Sequence, residues 1–186
     1  VWPLMSHNFS NSKWTHEILS STAKRDRVIE QLVEFIKKYN VDGINIDIES
    51  LEERTGPYWV EFMRELYPIM REQGVTVSVD VYVPSPWTVH YNRSEIAKVV
   101  DYFIIMAYDE HWSGSENAGS VGSLPWVQLA IERTLDEVPA EKVILGVPFY
   151  ARLWKEEFDQ SGAFSLSSRA LGMDGIQKEL ERNNIS

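Results

Sequence analysis

Residues 75–83 read VTVSVDVYV, with valine at every second position and Thr76, Ser78, Asp80 and Tyr82 between. Side chains alternate between the two faces of a strand, so the spacing predicts a strand with one apolar and one polar face. The same division recurs in VDGINIDIE (41–49), where Ile44, Ile46 and Ile48 oppose Asn45, Asp47 and Glu49. VWPLMSHNF (1–9), DYFIIMAYD (101–109) and KVILGVPFY (142–150) also have strand character. Between these runs, apolar residues recur at helical spacing. Val28, Ile29, Leu32, Val33, Phe35, Ile36 and Tyr39 predict a helix near 22–40, stopped by Asn40. A second, near 57–73, has Pro57 in its first turn, Pro68 inside and Gly74 at its end. A short helix is expected near 93–99 and another near 124–138.

The order βαβαβαβαβ implies right-handed crossovers and a parallel sheet. In a doubly wound sheet both faces meet helices and read apolar, whereas a barrel can aim polar side chains into its mouth. The fold class is therefore α/β, expected as a (β/α)8 TIM barrel. A complete barrel takes about 250 residues, and this chain of 186 supplies about five strands, so a truncated barrel is expected. Residues 1–154 read as the partial barrel domain and 155–186 as a loop insertion with a short helical pattern. Open parallel edges invite pairing, so either the chain is a fragment of a longer one or its edges are closed by another chain, self-association being one such closure.

The formal net charge is −10. Without a basic stripe, nucleic acid is an unfavourable partner. There is no cysteine, which excludes disulfides, thiolate metal sites and cysteine nucleophiles. No apolar run approaches the roughly 18 residues of a membrane span. His7, His16, His90 and His111 form no H-E-x-x-H pattern, and the glycines of SGSENAGSVGS have no phosphate-loop context. No metal, nucleotide or other cofactor is expected. Aromatic residues make up 12%, with seven Trp; their flat rings suit sugar faces and protein cores alike.

Ionised groups on the inner face of a strand are costly unless hydrogen-bonded or used. An Asp42-Gly43 turn followed by salt-bridged Asp47 and Glu49 would be an ordinary acidic strand end. The whole segment is more specific. DGINIDIE (42–49) resembles the D-G-x-D-x-D-x-E signature of glycoside hydrolase family 18, the chitinases and related N-acetylglucosaminidases, with Asn45 where many members carry Asp. MAYD (106–109) resembles the family's M-x-Y-D on the sixth strand, and ILGVPFYARLW (144–154) resembles its seventh-strand segment. VWPLMSHNF then corresponds to the third strand, so the chain would carry about strands 3–7. NIDIE, VSVDVYVPS, MAYDEHWSGS with AGSVGSLPW, and VPFYARLW look most like the bacterial spore-cortex-lytic and germination branch.

The resemblance implies hydrolysis of β-1,4-linked, N-acetylglucosamine-containing glycan, with cell-wall or spore-cortex peptidoglycan ahead of chitin. The family is a recognised substrate-assisted exception among retaining glycosidases, in which the sugar's 2-acetamido carbonyl is the nucleophile. Glu49 would then be the general acid and base, Asp47 would hold the acetamido N–H, and Tyr108 would donate to the acetamido oxygen. Asn45 would donate to Asp47 and keep it ionised, altering the acidic limb of the pH–rate profile. Met106 would pack beneath the sugar and Asp109 contact a sugar hydroxyl. Asp42, Asp80, Tyr82, Trp112, Tyr150 and Arg152 are further candidates for substrate contact, with Asp80 equally a buried partner of a neighbouring strand and Trp126 assigned to the core. A secreted, cell-wall or spore-associated location is implied, its signal outside this chain. The competing readings are a noncatalytic, lectin-like protein of the same fold and a segment inactive for want of strands.

Overall fold

A computed structural model of the chain describes residues 1–8 and 11–185. They divide into two compact units, Val1–Met106 with Glu132–Leu145, and Ala107–Ile131 with Gly146–Ser186. The first is built on a parallel five-stranded sheet of β1 (Leu4–Ser6), β2 (Gly43–Asp47), β3 (Thr76–Tyr82), β4 (Tyr102–Met106) and β5 (Val143–Gly146), in that spatial order. Phe9, at the end of the first expected strand, lies outside the described residues. In register, Ser6 faces Asp47, Asn45 faces Ser78 and Tyr82 faces Met106.

The alternation separates the two faces of the sheet. Ile44, Ile46, Val77, Val79, Val81, Phe103 and Ile105 are buried. All of these except Ile105 share a core with Ile29 and Ile36 of α2 (Thr22–Tyr39) and with Phe62, Met63, Leu66 and Met70 of α3 (Gly56–Glu72). Each such side chain contributes about 1.5–3 kcal/mol on leaving water. Asn40 caps α2 in the left-handed conformation, and Pro57 stands in the first turn of α3, where its missing N–H is no loss.

The expected helix near 93–99 is α4 (Arg93–Ile96) followed by a 3₁₀ turn, Ala97–Val99, and the one near 124–138 is α5 (Leu124–Leu135). Between β1 and α2 lies a helix that the periodicity did not predict, α1 (Ser12–Leu19). Asn11 caps it by accepting the Trp14 N–H at 3.1 Å, and it buries only Thr15 and Leu19.

In the second unit, residues 155–172, read as loop from the sequence, belong to a hairpin, and the short helical pattern expected after them is a helix. Tyr150–Phe158 (β6) and Phe164–Gly172 (β7) form an antiparallel hairpin, paired from Tyr150↔Gly172 to Phe158↔Phe164, and Met173–Arg182 is α6. The Asp159 carboxylate closes the hairpin by accepting the N–H groups of Ser161 and Ala163 at 2.8 and 2.9 Å, and Gly162 supplies the positive φ of 81°. No described helix is long and apolar enough to cross a membrane.

Candidate active site

The polar face of the first unit gathers its acids toward the carboxyl end of β2. Asp47 is only 8% exposed. Burial, Glu49 and Asp80 together push its carboxyl up to about 6. Its Oδ1 is buried without a hydrogen-bond partner among the described residues, and such a group costs free energy unless something pairs with it. Glu49, two residues beyond the strand, is half-buried. Tyr82 lies beside Glu49, and burial together with that carboxylate pushes its phenol well up.

Asn45 does not donate to Asp47, so that expectation is corrected. Residues two apart on a strand are roughly 6.6 Å apart, and the amide instead reaches across to β3. Its Nδ2 donates to Asp80 Oδ2 at 2.7 Å, while its Oδ1 accepts the Ser78 hydroxyl at 2.7 Å. Asp47 is accordingly raised rather than held ionised. Asp80 is half-buried and pairs with Asn45 across from β2. Burial raises its carboxyl, the Asn45 donor opposes that rise, and Glu49 adds to it.

Three side chains hold the turn that follows Asp47. The Glu49 N–H donates to His7 Nε2 at 3.1 Å, the Leu51 N–H to the Tyr91 hydroxyl at 3.2 Å, and His90 Nε2–H donates to the Leu51 carbonyl at 2.9 Å. Between them Ser50 has φ of 50°, a left-handed conformation uncommon outside glycine. His7, His90 and Tyr91 were missed as site residues in the sequence. The signal was available for His7, which directly follows β1, whose Ser6 is registered with Asp47.

Met106 ends β4, half-buried, in register with Tyr82. Asp42 is not brought to this end. It is exposed at the amino end of β2, roughly 16 Å of strand from Asp47, and its carboxylate pairs with the Val1 amino group.

The remaining candidates belong to the second unit. Tyr150 donates to Asp109 Oδ1 at 2.6 Å, and its ring meets that of Tyr108 edge-on at 6.2 Å. Arg152 Nη1 donates to the Ser168 hydroxyl at 3.1 Å. Trp112 is 55% exposed, whereas Trp126 is half-buried with its indole N–H sealed from water. No group of three or more His, Asp or Glu side chains among the described residues could hold a metal.

The first unit thus presents a partly open carboxyl, Glu49, beside a buried carboxyl with an unused acceptor, Asp47. Such a pair can move a proton at Glu49 while Asp47 accepts an N–H or O–H from a bound molecule. The profile described as "Glycosyl hydrolases family 18" matches residues 6–184. YdhD of Bacillus subtilis, named provisionally as a sporulation-specific glycosylase, is 30% identical over 155 residues, covering 81% of this chain and 36% of YdhD. The cortical fragment-lytic enzyme of the same organism is 22% identical, covering 96% of this chain and 43% of its own length. A crystal structure of a plant class V chitinase mutant from Cycas revoluta in complex with (GlcNAc)3 superposes with a TM-score of 0.83. It is 23% identical and covers 98% of this chain and 61% of the chitinase. The chain therefore spans about two fifths of the length of these curated relatives.

Proposed function

The chain belongs to glycosyl hydrolases family 18, and we propose that it forms strands 3–7 of a (β/α)8 barrel that cleaves β-1,4-linked, N-acetylglucosamine-containing glycan with retention. Glu49 donates its proton to the leaving glycosidic oxygen as the substrate's acetamido oxygen attacks the anomeric carbon. An oxazolinium forms. Water then adds to that carbon, returning its proton to Glu49. Asp47 accepts the acetamido N–H and stabilises the positive charge that develops on it, a contribution greater in the transition state than in the ground state. For Tyr108, the role of donor to the acetamido oxygen rests on the M-x-Y-D pattern.

The observation that carries this reading is the buried, unpaired Oδ1 of Asp47 beside Glu49. The sporulation and cortex names of the two Bacillus relatives favour peptidoglycan over chitin, and with it a secreted, wall- or spore-associated setting. The coverage of those relatives favours one alternative, a segment that binds glycan without turning it over. Glu49→Gln is expected to abolish cleavage of cortex peptidoglycan and chitin oligomers, read by mass spectrometry, while oligosaccharide binding persists. Hydrolysis retained in that variant would overturn the assignment. Binding without hydrolysis in the parent as well would favour the alternative.

A further inference from the structure

We infer that His7 is a positioning residue for Glu49, holding the main chain of the proton donor through the Glu49 N–H to Nε2 hydrogen bond. The inference rests on the reading of Glu49 as the acid. A backbone N–H can only donate, so Nε2 must be the unprotonated nitrogen of a neutral ring. Nδ1 then carries the hydrogen and donates to Thr15 Oγ1 at 2.5 Å. Thr15 is buried in α1. His7 therefore links α1 to the turn after β2.

That turn needs holding. Ser50 occupies the left-handed region, which a non-glycine residue keeps only when its surroundings impose it. Tyr91 and His90 fix Leu51 on the far side of Ser50, and His7 fixes Glu49 on the near side. Without His7 one end of the clamp is open, the Glu49 main chain can relax, and misplacement of about 1 Å can cost a catalytic group roughly 100-fold.

The surroundings of the ring favour its neutral form. Trp14, Thr15, Ile18 and Leu19 of α1, Val28 of α2 and Phe62 of α3 line the cavity beside it, and none is charged. Burial lowers the imidazole pKa, and the Glu49 carboxylate opposes that fall. A protonated ring would set N–H against N–H and release the turn.

The test compares His7→Phe, which removes the acceptor, with His7→Gln, whose carbonyl can replace it, in the ¹⁵N-labelled chain. In His7→Phe the Glu49 amide should exchange with solvent at least about 10-fold faster than in the parent, with the Leu51 amide unchanged. In His7→Gln the Glu49 amide should stay within about 3-fold of the parent. On chitin oligomers, kcat should fall about 10- to 100-fold in His7→Phe with KM within about 2-fold, and recover largely in His7→Gln. In the parent, the His7 ring ¹⁵N resonances should show Nε2 as the unprotonated nitrogen and titrate with a midpoint below the ordinary 6.5 of histidine; that readout stands even if His7→Phe fails to fold. A Glu49 amide indifferent to His7→Phe, or a His7 ring in the parent that carries its hydrogen on Nε2, would overturn the inference. Equal loss of kcat and stability in both variants would do the same. A parent that cleaves no glycan refutes the proposed function but leaves the amide measurements to decide the role of His7.

Discussion

At pH 8, Asp47→Asn is expected to make this protein more stable while impairing the proposed glycan cleavage. In the folded chain the Asp47 carboxyl is pushed up to about 6 from an ordinary 3.8, so between those values the folded state binds the proton more tightly than the unfolded state. The associated stability is full below about pH 3.8, declines as pH rises, and is gone above about pH 6. A shift of this size corresponds to about 3 kcal/mol at 1.36 kcal/mol per unit. The parent thus holds a buried, ionised carboxylate at pH 8 that Asn does not reproduce. The stability difference, variant minus parent, should climb by about 3 kcal/mol between pH 3 and pH 8. In urea, with a slope near 2 kcal/mol/M, that is a relative midpoint shift of about 1.5 M. Over the same range, glycan cleavage should fall roughly 100- to 1,000-fold, the size expected for losing one preorganised electrostatic partner. A stability difference independent of pH would refute the reasoning, because the only group removed is the one said to titrate.

Other substitutions test what surrounds that carboxyl. Asn45→Asp removes the donor to Asp80 and adds a fourth acid beside Asp47, Glu49 and Asp80; it should cost about 1–3 kcal/mol at pH 7 and less at pH 5, and move the acidic limb of kcat/KM upward. Urea titrations and a pH–rate profile unchanged in both respects would contradict the network. Gly56→Ala would place a Cβ 2.3 Å from the His90 carbonyl oxygen, displacing the segment that pins Leu51. We expect about 1–3 kcal/mol of destabilisation and slower glycan cleavage, checked by urea unfolding and turnover on chitin oligomers. Arg25 is 2% exposed and bonded to Glu65 at 2.7 and 2.8 Å and to the Leu19 carbonyl at 2.7 Å. Arg25→Ala should cost about 3–5 kcal/mol by urea unfolding while leaving kcat of the folded fraction unchanged.

The strands that build the site were legible because burial on one face imposes period two. The valines of β3 and the isoleucines of β2 are the side chains the structure buries, and the acids between them lie on the other face. Where that pressure is absent the sequence was silent. The β6–β7 hairpin carries KEEFDQSG through its turn, and most of its residues are exposed, so its pairing rests on a long backbone ladder rather than an apolar pattern. Helix α1 buries just two of its residues, and its one face of Trp14, Thr15, Ile18 and Leu19 spans too few turns for the periodicity to stand out. Partner choice within the site was hidden for a different reason. A strand spacing says which side chains share a face, but whether Asn45 turns along its own strand to Asp47 or across to Asp80 depends on register, which the adjacent strand sets.

That choice shapes the electrostatics of the whole cluster. Were Asn45 to serve Asp47, its donor would stabilise the ionised form and occupy an oxygen of the carboxylate, leaving Asp80 half-buried without a donor. By serving Asp80 instead, the amide lets one of the two aspartates meet its hydrogen-bonding need inside the protein. The other keeps a vacant acceptor and a carboxyl raised toward neutrality. A ligand N–H that gains positive character during reaction supplies both missing things at once, a donor and a compensating charge, so its interaction with Asp47 must strengthen as the reaction proceeds. In the proposed mechanism, the raised carboxyl of Asp47 and its hold on an acetamido group have one cause, a buried Oδ1 without a donor, and the neutral residue at 45 confines both to that position.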